Sequence, residues 1–403
     1  MTAAGQLPAA ANGSTPARRG SVAASVAAIL ACQDASGAIM ASPDFSQYQF
    51  CWLRDASFVA YALDRSGEHA ATARYHRWVA AAVAGIGAQI DTAVQRRLAG
   101  QPLDRAELPP CRFGLDGSVA ADDWPNFQVD GYGTWLWALR EHLRRTGTSI
   151  TAETGLRDTV IRVARFVAAF ALDACYDVWE ENGDGVHVST LACVYGGLLA
   201  AADLLGDQTL ASRAREVQSH VRMTAAAAGR LAKSSVSSEV DASMIWLATP
   251  FGLMDSQDPL YTAALAEITS QLRYDGGIRR YPSDTFFGGG AWPVLTASLG
   301  WHAAATGDRA AAEQSLAWIA GHIDAAGRLG EQFGGERRQP AYYREWVDRW
   351  GHPARELAWS HAMYVVLSLE LETEPGHGTG AGTTSGKDDP AFLRESSKKG
   401  AGQ

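Results

Sequence analysis

Two glutamates stand in settings that suit acid and base chemistry. Glu180 closes the run Tyr176-Asp177-Val178-Trp179-Glu180 and is followed by Glu181, and Glu331 sits in Gly330-Glu331-Gln332-Phe333. A carboxyl group that keeps its proton can protonate a leaving oxygen, and an ionised one can take a proton from water. Set on opposite sides of a glycosidic bond, such a pair cleaves it. Neither glutamate makes that case alone. Adjacent glutamates in a turn are usually solvated, and a glutamate beside glycine is usually on the surface.

Three further clusters, and a segment that follows Glu331, change the weighing. One holds Tyr48 and Trp52-Leu53-Arg54-Asp55, and another runs from Asp123-Trp124 through Gln128 to Asp130. The next contains Arg279-Arg280-Tyr281 and Asp284, with Trp292 after the Gly288–Gly290 run. Leu357-Ala358-Trp359-Ser360-His361 follows Glu331. Sugars present flat apolar faces and a rim of hydroxyls. Trp and Tyr cover the faces with little side-chain entropy to lose. Asp and Arg take the hydroxyls in charge-assisted hydrogen bonds. Arg54-Asp55 also reads as an ion pair at a helix start. Trp135 and Trp137 lie in a helical stretch and are expected to pack between helices.

Other chemistries lack their signatures. The ten histidines show no HExxH and no paired spacing, so no metal is expected. Asn182-Gly183-Asp184-Gly185 lacks the alternating oxygens and distal glutamate of a calcium loop and reads as a turn. No GxSxG supports a serine nucleophile. No Lys-Ser/Thr follows Gly288–Gly290, so it is not a phosphate loop. No cofactor is expected. His187 and His361 read as ordinary hydrogen-bonded residues near the mouth.

These clusters must be held by something rigid. Ala and Leu dominate the chain and strict alternation is scarce, which favours helices. Helices are expected at 17–33, 54–66, 68–98, 131–146, 150–173, 187–204, 207–231, 237–248, 258–272, 291–305, 307–325 and 355–371. Gly67-Glu68, Gly206-Asp207 and Gly307-Asp308 mark short joints, where glycine ends one helix and an acid begins the next. Short joints make consecutive helices antiparallel neighbours. The long connections, 34–53, 99–130, 174–186, 273–290 and 326–354, carry the clusters. Short turns at one end and long loops at the other describe a closed ring of six helical hairpins with its chemistry at one mouth.

Taken in order, the clusters resemble glycoside hydrolase family 15, the glucoamylases, from about Gln33 to about Leu371. Within 99–130 the resemblance is confined to Trp124 to Asp130. The family implies an all-α (α/α)6 barrel with its active site at the long-loop mouth. It implies that Glu180 is the general acid and Glu331 the general base. Arg54 and Asp55 would grip the terminal glucose, with Tyr48 near the reacting carbon and Trp52 in the same motif. Trp124 and Trp179 would line the site beside the acid. Glu181, Arg280 and Trp292 would contact sugar, and Trp359-Ser360 would support the base. The resemblance implies an inverting exo-α-glucosidase with a small oligosaccharide substrate. Isomaltose-type α-1,6 glucosides are the first expectation, with maltodextrins and trehalose as alternatives. A non-catalytic sugar-binding barrel and a phosphorolytic transferase remain as other classes; the survival of both glutamates speaks against them.

Composition narrows the setting. A net charge of -9 argues against nucleic acid, which needs a basic stripe. No apolar run of about 18 residues is expected to span a membrane. Five cysteines without a CxxC suggest a reducing, cytoplasmic compartment. The run Val22–Leu30 after Arg18-Arg19 continues into a helical pattern rather than a cleavage site. Residues 1–16 and 372–403 are small, polar and Gly/Ser/Thr-rich, and are expected to be disordered tails flanking a catalytic domain at 17–371. Oligomeric state is left open.

Overall fold

Helix ends decide how this chain folds back on itself. Gly206 and Gly307 take the left-handed conformation, with φ of 68° and 90°, and so stop their helices. The next residues then start new ones: the Asp207 side chain accepts from the Thr209 N–H, and Asp308 accepts from Ala311. The computed structural model describes residues 16–373, apart from Asp123 and Pro125. The tails expected at 1–16 and 372–403 lie outside the described residues, save Pro16, Glu372 and Thr373.

Six outer–inner pairs follow one another along the chain. Outer α1 (Pro16–Ala31) leads to inner α2 (Leu53–Arg65). Outer α3 (His69–Gly85) continues into α4 (Gly87–Leu98) before inner α5 (Asp130–Thr146). Outer α6 (Leu156–Phe170) leads to inner α7 (Val188–Leu205). Outer α8 (Gln208–Ala228) leads to an inner 3-10 helix, Ala242–Leu247. Outer α9 (Pro259–Gln271) leads to inner α10 (Pro293–Ala305). Outer α11 (Arg309–Ala320) is followed by α12 (Gly335–Arg338), α13 (Pro340–Trp350) and inner α14 (Ala358–Glu370). The inner elements touch in sequence and α14 returns to α2, closing an (α/α)6 barrel.

Three expectations need correction. The helix expected at 68–98 breaks at Ile86, whose non-helical backbone separates α3 from α4. The segment expected as helix 237–248 is a 3-10 helix only from Ala242; Asp241 draws the Ser243 N–H to its carboxylate, and Pro250 has no N–H to continue a ladder. The loop expected at 326–354 contains α12 and α13. A fourth concerns hydropathy: α7 holds an 18-residue window with mean hydropathy 1.7. It is apolar all round because it is enclosed between α5 and α8 inside the ring. Its approach to α5 is close enough that a Cβ on Gly133 would strike the Cys193 carbonyl, and one on Gly197 the Gly133 carbonyl.

Every long connection runs from an outer element to the N-terminus of an inner one. The mouth is therefore ringed by helix N-termini, whose partial positive charge favours carboxylates. Two short ladders shape the mouth loops, the first joining two of them and the second a hairpin within one. β1 (Cys51–Trp52) pairs antiparallel with β2 (Arg112–Phe113), and β3 (Arg273–Tyr274) with β4 (Gly277–Ile278). The barrel axis below the mouth is filled by Phe58, Trp246 and Trp359, with ring centroids 5.4–5.8 Å apart. Trp135 and Trp137 are buried in the core, as their helical setting suggests. All five cysteines are buried and none is in a disulfide.

Candidate active site

A cavity of about 520 Å³ opens at this mouth, within the range of small-molecule sites. Every candidate residue lines it: Tyr48, Trp52, Arg54, Asp55, Trp124, Trp179, Glu180, Glu181, Arg280, Trp292, Glu331 and Trp359. Trp359 stands on the axial aromatic plug, so the cavity is closed from below.

The Glu180 carboxyl is held by two indoles. Trp52 donates its Nε1–H to Oε1, and Trp124 donates to Oε2 at 3.1 Å. Arg54 Nη2 lies 3.8 Å from Oε1. Burial pushes the carboxyl up to about 7, against the pull of Arg54; the nearby Asp55 charge pushes it further up. The backbone of Glu180 is left-handed, with φ of 65°, a conformation that costs a β-carbon residue on the order of 1–3 kcal/mol. Asp177 supplies the compensation. Its Oδ1 accepts from the N–H groups of Trp179 and Glu181 at 2.9 Å each, and its carbonyl accepts from Glu180.

Glu331 enters from the loop after α11. It is 1% exposed. Tyr48 donates its hydroxyl to Oε1 at 2.7 Å, and Oε2 has no hydrogen-bond partner within the protein. Burial pushes this carboxyl up to about 8, and Tyr48 and Arg280 pull it back only in part. Burial works against the ionised form that a general base needs, while Tyr48 and Arg280 work for it. Ser360 Oγ of α14 donates to the Gly330 carbonyl at 2.9 Å, and the Glu331 N–H donates to Ala354 just before that helix, so the loop is pinned from both. The buried His361 accepts from the Leu329 N–H through Nε2.

Between the two glutamates lie groups able to hold hydroxyls. Arg54 bonds Gln128 at 2.8 Å and Asp130 at 3.0 Å, and lies 3.1 Å from Asp55. Arg280 is clamped by Asp284 through Nε and Nη2 and reaches Glu181 at 3.3 Å. Tyr281 donates its hydroxyl to Glu181. The indole N–H groups of Trp292 and Trp359 are buried without partners. Unpaired buried donors around a cavity are costly unless a ligand takes them. Among the described residues no group of three or more His, Cys, Asp or Glu side chains is placed to hold a metal ion.

The profile of glycosyl hydrolases family 15 matches residues 16–320. The chain belongs to this family. An isomaltose glucohydrolase from Kribbella flavida is 38% identical over 356 residues, 85% of this chain and 90% of that one. Trehalase 1 of Sulfolobus acidocaldarius is 23% identical over 261 residues, 62% of this chain and 45% of that one. Among solved structures, a wild-type glycosidase matches with a TM-score of 0.83 at 38% identity, covering 88% of this chain and 97% of that one. The glucoamylase of Hormoconis resinae matches at 0.64 with 16% identity, covering 88% and 73%, a likeness of fold.

The family 15 site has parts that sequence reasoning missed. Arg112 is fully buried, with its guanidinium 4.3 Å from the Trp124 ring, 5.1 Å from Trp52 and 4.2 Å from Phe50. It packs against both of the indoles that hold Glu180, which also meet each other edge-on at 6.0 Å, and Asp122 pairs with it. Lys233 is buried behind the Trp179 turn, 3.3 Å from both Asp177 and Asp241. Asp241 accepts the Trp179 indole N–H at 2.9 Å. A lone Arg and a lone Lys in loops carry no local signal; only the fold brings them here. Trp346, Arg349 and Trp350 of α13 also line the cavity. Pro340 at a helix start, tryptophans four apart and Gly351 at the end were the readable signs.

Proposed function

We propose that this family 15 glycoside hydrolase is an inverting, exo-acting α-glucosidase that releases β-glucose from short α-1,6-linked glucosides such as isomaltose. One observation carries the reading. Two buried carboxyls from separate loops open on one blind cavity, one held by indole donors and the other with a free oxygen. Glu180 is the general acid and gives its proton to the glycosidic oxygen. Glu331 is the general base, and its unpartnered Oε2 receives a proton from water. Inversion needs a carboxyl gap on the order of 6.5–9.5 Å to hold that water. The two carboxyls have different holders, Trp52 and Trp124 for Glu180 and Tyr48 for Glu331.

A bound water donating to Oε2 favours the ionised form of Glu331, so an occupied site shifts the shared proton toward Glu180. Arg54, Asp55 and Trp359 orient the terminal glucose at the cavity floor. Trp124, Trp179, Glu181, Arg280 and Trp292 border the scissile bond and the sugar beyond it. The axial plug leaves room for no second ring below the first, so cleavage proceeds from the chain end. The catalytic unit spans 17–371.

The isomaltose preference draws on the Kribbella relative. A panel of glucose disaccharides differing only in linkage tests it, with free glucose as the readout. Isomaltose should show the highest kcat/KM. Faster release from maltose or trehalose overturns the linkage assignment, and release from none overturns the hydrolase.

A further inference from the structure

Helix α13 has no role in the reaction as described so far. It buries no residue fully, yet Trp346, Arg349 and Trp350 line the same cavity as the two glutamates. Residues three and four apart share one face of a helix, so these three side chains stand together. The Arg349 guanidinium lies 5.9 Å from the Trp346 ring centroid and 5.0 Å from that of Trp350.

The helix is seated by contacts on the barrel side. Trp346 meets Phe286 edge-on at 4.9 Å and Phe287 at 6.0 Å. Phe286 in turn flanks Arg280 at 4.9 Å and Trp292 at 6.3 Å. The wall that starts at Arg280 and Trp292 therefore continues outward onto α13. The floor of the cavity takes one hexose. Whatever that hexose is joined to must extend toward the rim, where this wall stands.

Resting on the hydrolase reading above, we propose that the Trp346–Arg349–Trp350 face of α13 forms the outer wall of the leaving-sugar site, beyond Arg280 and Trp292, and sets the grip on short glucosides. The indoles offer flat faces to the sugar ring, and the guanidinium donates to its hydroxyls.

Binding calorimetry on a Glu180→Gln background, which slows turnover by about 10²–10⁴-fold, separates this site from the floor. Isomaltose and glucose are titrated into that protein and into versions that also carry Trp350→Ala, Arg349→Gln or Trp346→Ala. The isomaltose Kd should weaken about tenfold while the glucose Kd stays unchanged. Trp346→Ala can unseat α13, so Arg349→Gln, at an exposed position, provides the second reading. Unchanged isomaltose affinity in all three variants overturns the proposal, and so does equal weakening for glucose. A wild type that releases no glucose sinks the hydrolase reading, yet this comparison still reads the α13 site because it measures binding alone.

Discussion

Burial acts on Glu180 and Glu331 in the same direction, and each raises the other's hold on a proton when it ionises. Burial lifts them to about 7 and about 8, and on the proposed roles the working form carries one proton. kcat/KM should rise with pH as the first proton leaves and fall as the second leaves. Both midpoints should lie above 4.5, the ordinary value for glutamate. A falling limb near 4.5 contradicts the dominance of burial. The same shift sets a stability slope. A raised folded-state value means that the stabilising contribution is complete below 4.5 and is lost as pH climbs through 7 to 8. Glu331→Gln removes that loss, so its Tm relative to wild type should climb across that window; a constant difference contradicts this. In turnover, Glu180→Gln and Glu331→Gln should each lose about 10²–10⁴-fold in kcat. Glucose should still bind to both. Wild-type turnover in a pure preparation of either variant removes that residue from its role.

At the scale of elements, the ring of hairpins was legible because Gly-Asp joints and helical periodicity are local signals. The site clusters were legible because Trp, Arg and Asp concentrated in loops have few structural reasons to be there. What escaped was long-range or disguised. α13 lies among Gly334, Gly335, Pro340 and Pro353, which look like loop punctuation, and its packing face becomes apparent only against Phe286 and Phe287. Arg112 matters through the β1–β2 ladder, which sets it beside Trp52. Arg112→Met should let the two indoles drift and lower kcat by about tenfold, with a smaller change in KM; loss confined to KM contradicts a positioning role. At the far end of the barrel, Asp64 of α2 joins three partners across α3 and α5. His69 lies at 2.6 Å, Arg145 at 2.7 Å and His142 at 3.0 Å. Burial alone raises this carboxyl, but the hydrogen bonds from His142, His69 and Arg145 outweigh it and hold it near about 2. Its stabilising contribution is present above 3.8 and is lost as pH falls toward 2. Asp64→Asn should cost about 3 kcal/mol at neutral pH with kcat unchanged. An unaltered Tm contradicts the clamp.

The whole molecule ties these parts to one outcome. A closed barrel whose axis is filled by Phe58, Trp246 and Trp359 presents a pocket with one entrance, so substrate enters by its end. Inner helices arrive at that entrance by their N-termini, and two carboxyls meet there from loops 151 residues apart in sequence (331 − 180). On the proposed roles, one delivers a proton and the other activates water across the ring, so the new bond forms on the face opposite the old one. Proton NMR of glucose freshly released from isomaltose reads that geometry directly. β-Glucose should accumulate first and then mutarotate, whereas α-glucose as the first product would contradict the paired acid and base.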